Sequence, residues 1–340
     1  MAIACHLRGQ QNRIAAVVVT LVLVFGLARF VAPGAPRLPE CPAAGASGAA
    51  PPLLAPRVYT SSEHFCAQLT APVTSGSGSF IRVAVDADPT FYLVPAVPDH
   101  LHLTPYAARG EAAPDIVDYQ IFADVFRGAP SDAVFLDIGA NVGLASLRVA
   151  ALGYRIVAVE AAPANVRALA LSVCVNPSFT DRFTLVGAAA GATDASVTLY
   201  VPTERGDNAA LSRTGSTANL ETKEAARETI ALARIDTLFT SLNLGALIPR
   251  IRLVKIDVQG FETGVLTGAT GLLAQLSVGV WVVAEHDPKL IALSCAGGSS
   301  TSDIELMEAR GFSVHKSWKG PVWTAWRNVP FSADVWYRKL

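Results

Sequence analysis

The chain has 340 residues, 51% of them hydrophobic, and its 27 Lys and Arg against 28 Asp and Glu leave a formal charge of -1. That length holds one large domain with appendages and buries a sizeable core. The near-neutral balance excludes the global basic field that gathers nucleic acid, so no nucleic-acid partner is expected.

In chain order, the first element is apolar. Arg8 and Arg13 precede an uninterrupted run of apolar and small residues from Ile14 to Ala28, which Arg29 breaks and Phe30 to Ala32 prolong. Residues 14–32 just cross the roughly 30 Å of a bilayer core if Arg29 snorkels to the interface. Read as a signal anchor, the run leaves residues 1–13 with their arginines as a cytosolic tail. Read as a cleaved signal peptide, it ends in Phe30-Val-Ala-Pro-Gly-Ala, but it is long for that purpose and Pro33 opposes cleavage after Ala32. The expectation is therefore a transmembrane helix of type II topology, with the folded domain in the lumen of the secretory pathway or Golgi.

Residues 33–57 interleave Pro33, Pro36, Pro39, Pro42, Pro51, Pro52 and Pro56 with Ala, Gly and Ser, the composition of an extended stem. In a lumenal reading Cys41, Cys66, Cys174 and Cys295 share an oxidising compartment. If they pair, Cys41 with Cys66 is the expected bridge, and buried thiols fit equally well. No CxxC or Cys/His spacing suggests zinc. Asp99-His-Leu-His102 offers too few ligands for a closed site, so no metal is expected.

Within residues 58–110, Phe80-Ile-Arg-Val-Ala-Val and Phe91-Tyr-Leu-Val read as a lead-in hairpin lying against the main sheet. Residues 111–340 then alternate strands with helices. A helix is expected over Asp115–Phe126, followed by a buried strand at Ala133–Asp137, a helix at Leu144–Leu152, a strand at Arg155–Glu160 and a helix at Ala164–Val175 after Pro163. Strands follow at Phe183–Gly187, Ser196–Val201, Ile251–Asp257 and Val280–Glu285, with a helix at Ser302–Arg310 stopped by Gly311. Phe312–His315 and Val322–Trp326 are expected to close the sheet as an antiparallel pair. Residues 204–228, with a charged helical patch at Glu221–Glu228, read either as a lid or acceptor loop or as a solvated excursion. The fold class is α/β: a Rossmann-like, doubly wound sheet with right-handed crossovers.

A ligand in such a sheet lies beyond the carboxyl ends of the strands, where Asp137, Glu160, Asp257 and Glu285 each end one. Gly139 and Gly143 flank the first strand-to-helix turn and leave the backbone accessible. Glu160 follows Gly139 by about 20 residues, the offset at which an acid accepts ribose hydroxyls. The turn reads Asp-x-Gly-x-Asn-x-Gly and lacks the GxGxxG that cradles a pyrophosphate. It therefore suits the phosphate-free S-adenosylmethionine better than a nicotinamide dinucleotide, with Asp137 toward the amino-acid end.

The stretches FLDIGANVGLASL, VAVEAAPANVRALALSVCVN, IDTL and LVKIDVQGFETGVLTGA resemble, in order and spacing, the FkbM family of S-adenosylmethionine-dependent methyltransferases. The resemblance spans about Asp115 to Glu285. It implies a class I methyltransferase fold and O-methyl transfer, in several members to sugar hydroxyls. It places Asp137, Gly139, Asn141 and Glu160 at the cofactor, and Lys255, Asp257, Glu262 and Glu285 on the acceptor side. Three departures stand out: Gln259 where the family usually has Glu, Ala161-Ala-Pro for a Glu-Pro step, and Arg234-Ile-Asp for Thr-Leu-Asp.

An alcohol acceptor must lose a proton as the new bond forms. Asp257 and Glu285 are the candidate bases, and His286 is a third because imidazole suits proton transfer near neutrality. Strand alternation puts Lys255 on the same side as Asp257. Glu262 begins a helix, where its charge favours the dipole. Trp318, Trp323 and Trp326 are either sugar-stacking or packing residues. Two rival classes remain: a nicotinamide-dependent oxidoreductase on the same architecture, and a membrane-tethered S-adenosylmethionine-binding module without activity, which Gln259 favours.

Overall fold

The runs Val134–Ile138, Arg155–Glu160, Phe183–Gly187, Ile251–Ile256 and Trp281–His286 are apolar at successive positions, as strands covered on both faces must be. In the computed structural model they form the parallel centre of an eight-stranded sheet. The structure describes residues 52–67, 81–83, 90–95, 120–202, 210–211, 225–287, 291, 300–324 and 333–340. In chain order its elements are β1 (Arg57–Tyr59), α1 (Ser62–Cys66), β2 (Ile81–Val83), β3 (Phe91–Leu93), α2 (Gln120–Phe126), β4 (Val134–Ile138), α3 (Leu144–Ala151), β5 (Arg155–Glu160) and α4 (Pro163–Cys174). There follow β6 (Phe183–Gly187), β7 (Ala189–Ala190), β8 (Ala195–Pro202), β9 (Ala210–Leu211), β10 (Ala225–Ala233), α5 (Ile235–Ser241) and β11 (Ile251–Ile256). The last are α6 (Glu262–Gly268), α7 (Thr270–Gln275), β12 (Trp281–His286), α8 (Ser300–Ala309), β13 (Phe312–His315) and β14 (Ala333–Lys339).

The large sheet runs β1-β6-β5-β4-β11-β12-β14-β13, with β1 antiparallel at one edge and β14 antiparallel between β12 and β13. The chain builds outward from β4 to β6, then returns to the other flank of β4 with β11. Strand order reverses between β4 and β11, which is where an open α/β sheet leaves a crevice at its carboxyl ends. Side-chain alternation divides the core. Phe135, Leu253 and Val283 pack beneath α2, α3 and α4, while Leu136, Val254 and Val282 pack on α5 to α8.

Several expectations are corrected. The partner of β13 is β14, not Val322–Trp326; Val322 makes one isolated bridge to His315, and Trp326 lies outside the described residues. Val335, Trp336 and Tyr337 are all buried, so β14 can sit between two strands. The lead-in strands do pair, Ile81 with Leu93, but β3 packs on α3 and α4 instead of on the sheet. Its backbone is held there by Asn176 and Ser172: Tyr92 N–H donates to Asn176 Oδ1 at 2.9 Å and Val94 N–H to Ser172 Oγ at 2.8 Å. Residues 225–228 are not helical. They open β10, whose long antiparallel ladder with β8 overrides the helix-like charges of Arg227 and Glu228. With β7 and β9 these strands make a second sheet, β7-β10-β8-β9.

The predicted anchor 14–32, most of the stem, residues 115–119 of the first predicted helix, His102, Cys41 and Cys295 lie outside the described residues. Among the described residues no helix is long and apolar enough to cross a membrane.

Cys66 bonds to Cys174, not to Cys41. The cause is packing: Phe65 of α1 is fully buried, stacks 6.2 Å from Tyr59 and meets Phe183 edge-on at 6.1 Å. This docks α1 beside the last residue of α4. The bond closes a loop with a sequence separation of 108, long enough to restrict the unfolded chain strongly. Replacing both cysteines with serine is expected to lower unfolding stability by about 2–5 kcal/mol, read from urea denaturation. An unchanged midpoint would show that α1 is held by packing alone.

Candidate active site

Asp137, Glu160, Asp257 and Glu285 end or follow β4, β5, β11 and β12, four consecutive neighbours in the sheet. Their positions share the parity of Phe135, Ala158, Leu253 and Val283, so all four carboxylates leave the sheet on the face covered by α2 to α4. Lys255, paired in register with Asp137, has the same parity. Its ammonium lies 3.4 Å from Asp137 Oδ1 and 3.3 Å from Asp257 Oδ2, and it donates to the Gly139 carbonyl at 3.0 Å. One buried cation thus joins the ends of the two strands at which the sheet order reverses.

The turn after β4 is built on left-handed residues. Gly139 (φ 82°), Asn141 (φ 55°) and Gly143 (φ 88°) all have positive φ, which Gly and Asn adopt most readily. A Cβ at Gly139 would overlap the Asp257 carbonyl oxygen, and one at Gly143 would overlap the Leu169 side chain. Gly139 therefore does more than clear space for a ligand: it lets the β4 and β11 turns touch. Gly143 serves the packing of α3 on α4 and does not line the cleft.

Glu160 is fixed by this turn. It accepts Asn141 N–H at 2.7 Å, Ala162 N–H at 2.8 Å and Asn165 Nδ2 at 3.3 Å. Burial raises its proton affinity, and these donors oppose the rise. Three donors against about four carboxylate acceptor sites leave capacity toward the cleft. Asp137 is fully buried beneath the cleft, where it accepts Ser146 Oγ at 2.6 Å, so it supports the floor and lines no wall.

At the other end, the Gln259 amide donates to Asp257 Oδ1 at 2.9 Å and to Glu285 Oε2 at 3.0 Å. Burial alone would raise the Asp257 pKa, but Lys255 and hydrogen bonds from Glu285 and Gln259 outweigh it and hold the carboxyl below its ordinary value. Burial and the Asp257 charge push Glu285 the opposite way, up to about 9. Near neutral pH the pair is one carboxylate and one carboxylic acid. Behind it, Glu262 accepts Val258 N–H at 3.0 Å and Gly260 N–H at 3.2 Å, and burial raises it to about 7. Glu262 thus ties down the turn before α6.

His286 does not join this group. One residue beyond Glu285, it points through the opposite face into the core under α8. There it is fully buried, with Nε2 2.8 Å from the Tyr337 hydroxyl and Nδ1 3.6 Å from Asp303, and burial lowers its pKa to about 4. A neutral core imidazole is no base for a substrate. Trp318 and Trp323 pack against the two sides of the sheet edge, beneath Lys319 and Lys316.

A cleft opens between the two ends. Besides Gly139, Asn141, Glu160 and Asp257 it is lined by Val159, Asn165, Ala188–Ala190, Leu199, Val258 and Gln259. Asn165 and the alanine run just past β6 were not singled out in the sequence. A row of small residues at a strand's carboxyl end was the available signal. These features fit S-adenosylmethionine: a flat apolar wall for a base, a carboxylate for hydroxyls, and no cradle of amides for phosphates.

A family model, the Methyltransferase FkbM domain, matches residues 137–314. No curated protein matches the chain. Among solved structures, an O-methyltransferase from Bacillus cereus in complex with SAH is 13% identical, with a TM-score of 0.37 over 69% of this chain and 86% of that one. A precorrin-6y C5,15-methyltransferase from Geobacter metallireducens is 14% identical, with a TM-score of 0.33 over 65% and 88%. The strand order itself, not these matches, carries the fold assignment.

Lys255→Met leaves Asp137 and Asp257 as close, unpaired carboxylates and is expected to cost roughly 3 kcal/mol or more of stability in denaturant unfolding; a loss near zero would mean that the ion pairs are incidental. Glu285 and Glu262 bind protons more tightly folded than at their ordinary 4.5. Their stabilisation is full below that value and is lost as pH rises through about 7 and about 9. The melting temperature should therefore fall between pH 5 and 9, and fall less in Glu285→Gln. Parallel curves for the two proteins would contradict the assignment.

Proposed function

The chain belongs to the FkbM methyltransferase family, and from that premise we propose that it moves a methyl group from S-adenosylmethionine to a hydroxyl of a sugar or glycan. The observation that carries this reading is the Asp257–Glu285 pair beside the cleft, bridged by the Gln259 amide at 2.9 and 3.0 Å, with Lys255 3.3 Å from Asp257. When bound, S-adenosylmethionine supplies an electrophilic methyl group on a cationic sulfur. Gly139, Asn141 and Glu160 are the residues that would hold it.

The chain's own work is then positioning and proton transfer. Asp257 accepts the hydroxyl proton as the acceptor oxygen becomes nucleophilic. Lys255 keeps Asp257 charged and fixed between strand ends. Glu285, being neutral, offers a hydrogen bond without adding charge. Asp334, opposite Glu285 on β14, adds a further acid on this side. Two carboxylates at one ammonium, Asp137 and Asp257 at Lys255, leave this end acidic, which disfavours phosphates and uronates and favours a neutral polyhydroxyl acceptor. Nicotinamide redox chemistry is disfavoured by a turn that has no pyrophosphate fingerprint.

Two features support a location in the secretory pathway or Golgi. The sequence of the apolar run 14–32 reads as a membrane anchor of type II topology, and the Cys66–Cys174 bridge suits an oxidising lumen.

Asp257→Asn is expected to bind S-adenosylmethionine with nearly wild-type affinity in calorimetry while losing at least 100-fold, on the order of a lost general base, in transfer of labelled methyl to a glycan panel. Full transfer by that variant would remove Asp257 as the base, and failure of the wild-type protein to bind S-adenosylmethionine would remove the reading itself.

A further inference from the structure

We propose that Gln259 is a positioning residue: its amide bridges Asp257 and Glu285 and, together with Lys255, lets Asp257 meet the acceptor hydroxyl without a proton. The inference rests on the reading of Asp257 as the base and concerns how that base is kept ready.

The clamp begins in the backbone. Gln259 has φ 54° and the next residue, Gly260, φ 96°. A left-handed residue that is neither Gly nor Asn is uncommon and costs free energy, so it marks a place where geometry is imposed from outside. Here the reversal turns the chain back after β11 and brings the side chain of Gln259 between the ends of β11 and β12. Glu262 braces the turn from below by accepting Val258 N–H and Gly260 N–H.

The amide is well matched to its task. Its Nε2 carries two N–H groups, and the two acceptors within reach are Asp257 Oδ1 at 2.9 Å and Glu285 Oε2 at 3.0 Å. The other oxygen of Asp257 faces Lys255 at 3.3 Å. An N–H donor favours the charged form of the acid it meets, whereas two carboxyls left to face each other share a proton tightly. A carboxylate at 259 bridges the same two acids only by taking up a proton itself. Gln259 thus lets the cluster hold one proton fewer.

The charges around Asp257 reinforce this. Lys255 lies on one side, with Asp137 beyond it. Glu285, Glu262 and Asp334 lie on the other; burial and the Asp257 charge raise the proton affinity of all three, and Glu262 and Asp334 raise that of Glu285 further. The amide adds to Lys255 and Glu285 in keeping the proton off Asp257.

The test uses the ligand-free protein, so it does not depend on finding the acceptor. The carboxyl carbon of Asp257 is followed by NMR in protein labelled at aspartate, with its signal assigned by its loss in Asp257→Asn. Gln259→Met keeps the length of the side chain and removes its donors, and Gln259→Glu removes them while adding a charge. In both, the Asp257 titration midpoint is expected to rise by about one pH unit or more, the size of a lost charge-directed contact. A midpoint unchanged in Gln259→Met overturns the proposal; if that variant fails to fold, an unchanged midpoint in Gln259→Glu does so. Calorimetry with S-adenosylmethionine on the wild-type protein separately reports whether the functional reading stands.

Discussion

The arrangement of the site depends on a single buried ammonium. Lys255 sits where the strand order reverses, and it holds Asp137 on one strand and Asp257 just beyond the next. A carboxylate taken from water into this core needs a partner, and each of these two finds the same one. The third donor contact, to the Gly139 carbonyl, brings the cofactor-side turn into the same knot. The Gly139 end and the Asp257 end of the cleft are therefore not separately placed. They are two sides of one ion cluster, and the proton states of Asp257 and Glu285 follow from it.

That cluster also explains how unlike roles arise from like residues. Four acids reach one face at the ends of adjacent strands, yet each meets a different set of donors. Asp137 receives a hydroxyl and an ammonium and stays beneath the floor. Glu160 receives backbone and side-chain N–H groups and faces the cleft. Asp257 receives an ammonium, an amide and a hydrogen bond from Glu285, while Glu285 meets the Asp257 charge and keeps its proton. The division of labour is set by neighbours, not by residue type.

Much of this was legible in the sequence, for a physical reason. Strands buried on both faces must be apolar at consecutive positions, and β4, β5, β6, β11 and β12 were read within a residue or so at each end. The acids ending those strands follow from the same reading, as does the family resemblance that the domain match supports. The failures have physical causes too. Alternation along β12 should have separated Glu285 from His286, since neighbours on a strand point to opposite faces. β14 was overlooked because its buried centre, Val335–Tyr337, is short and flanked by charges. β10 looks helical until β8 is beside it. The disulfide joins residues that only folding brings together, and its sequence separation of 108 hides it from any local pattern. Gly143 was assigned to the ligand when its missing Cβ serves the contact with Leu169.

The contact at Gly139 has a consequence for how this enzyme class can diversify. Because that glycine lets the main chain of one turn rest against the Asp257 carbonyl, the spacing between the Gly139 turn and Asp257 is gauged by peptide against peptide. Side chains lining the rest of the cleft can then be exchanged without changing that distance.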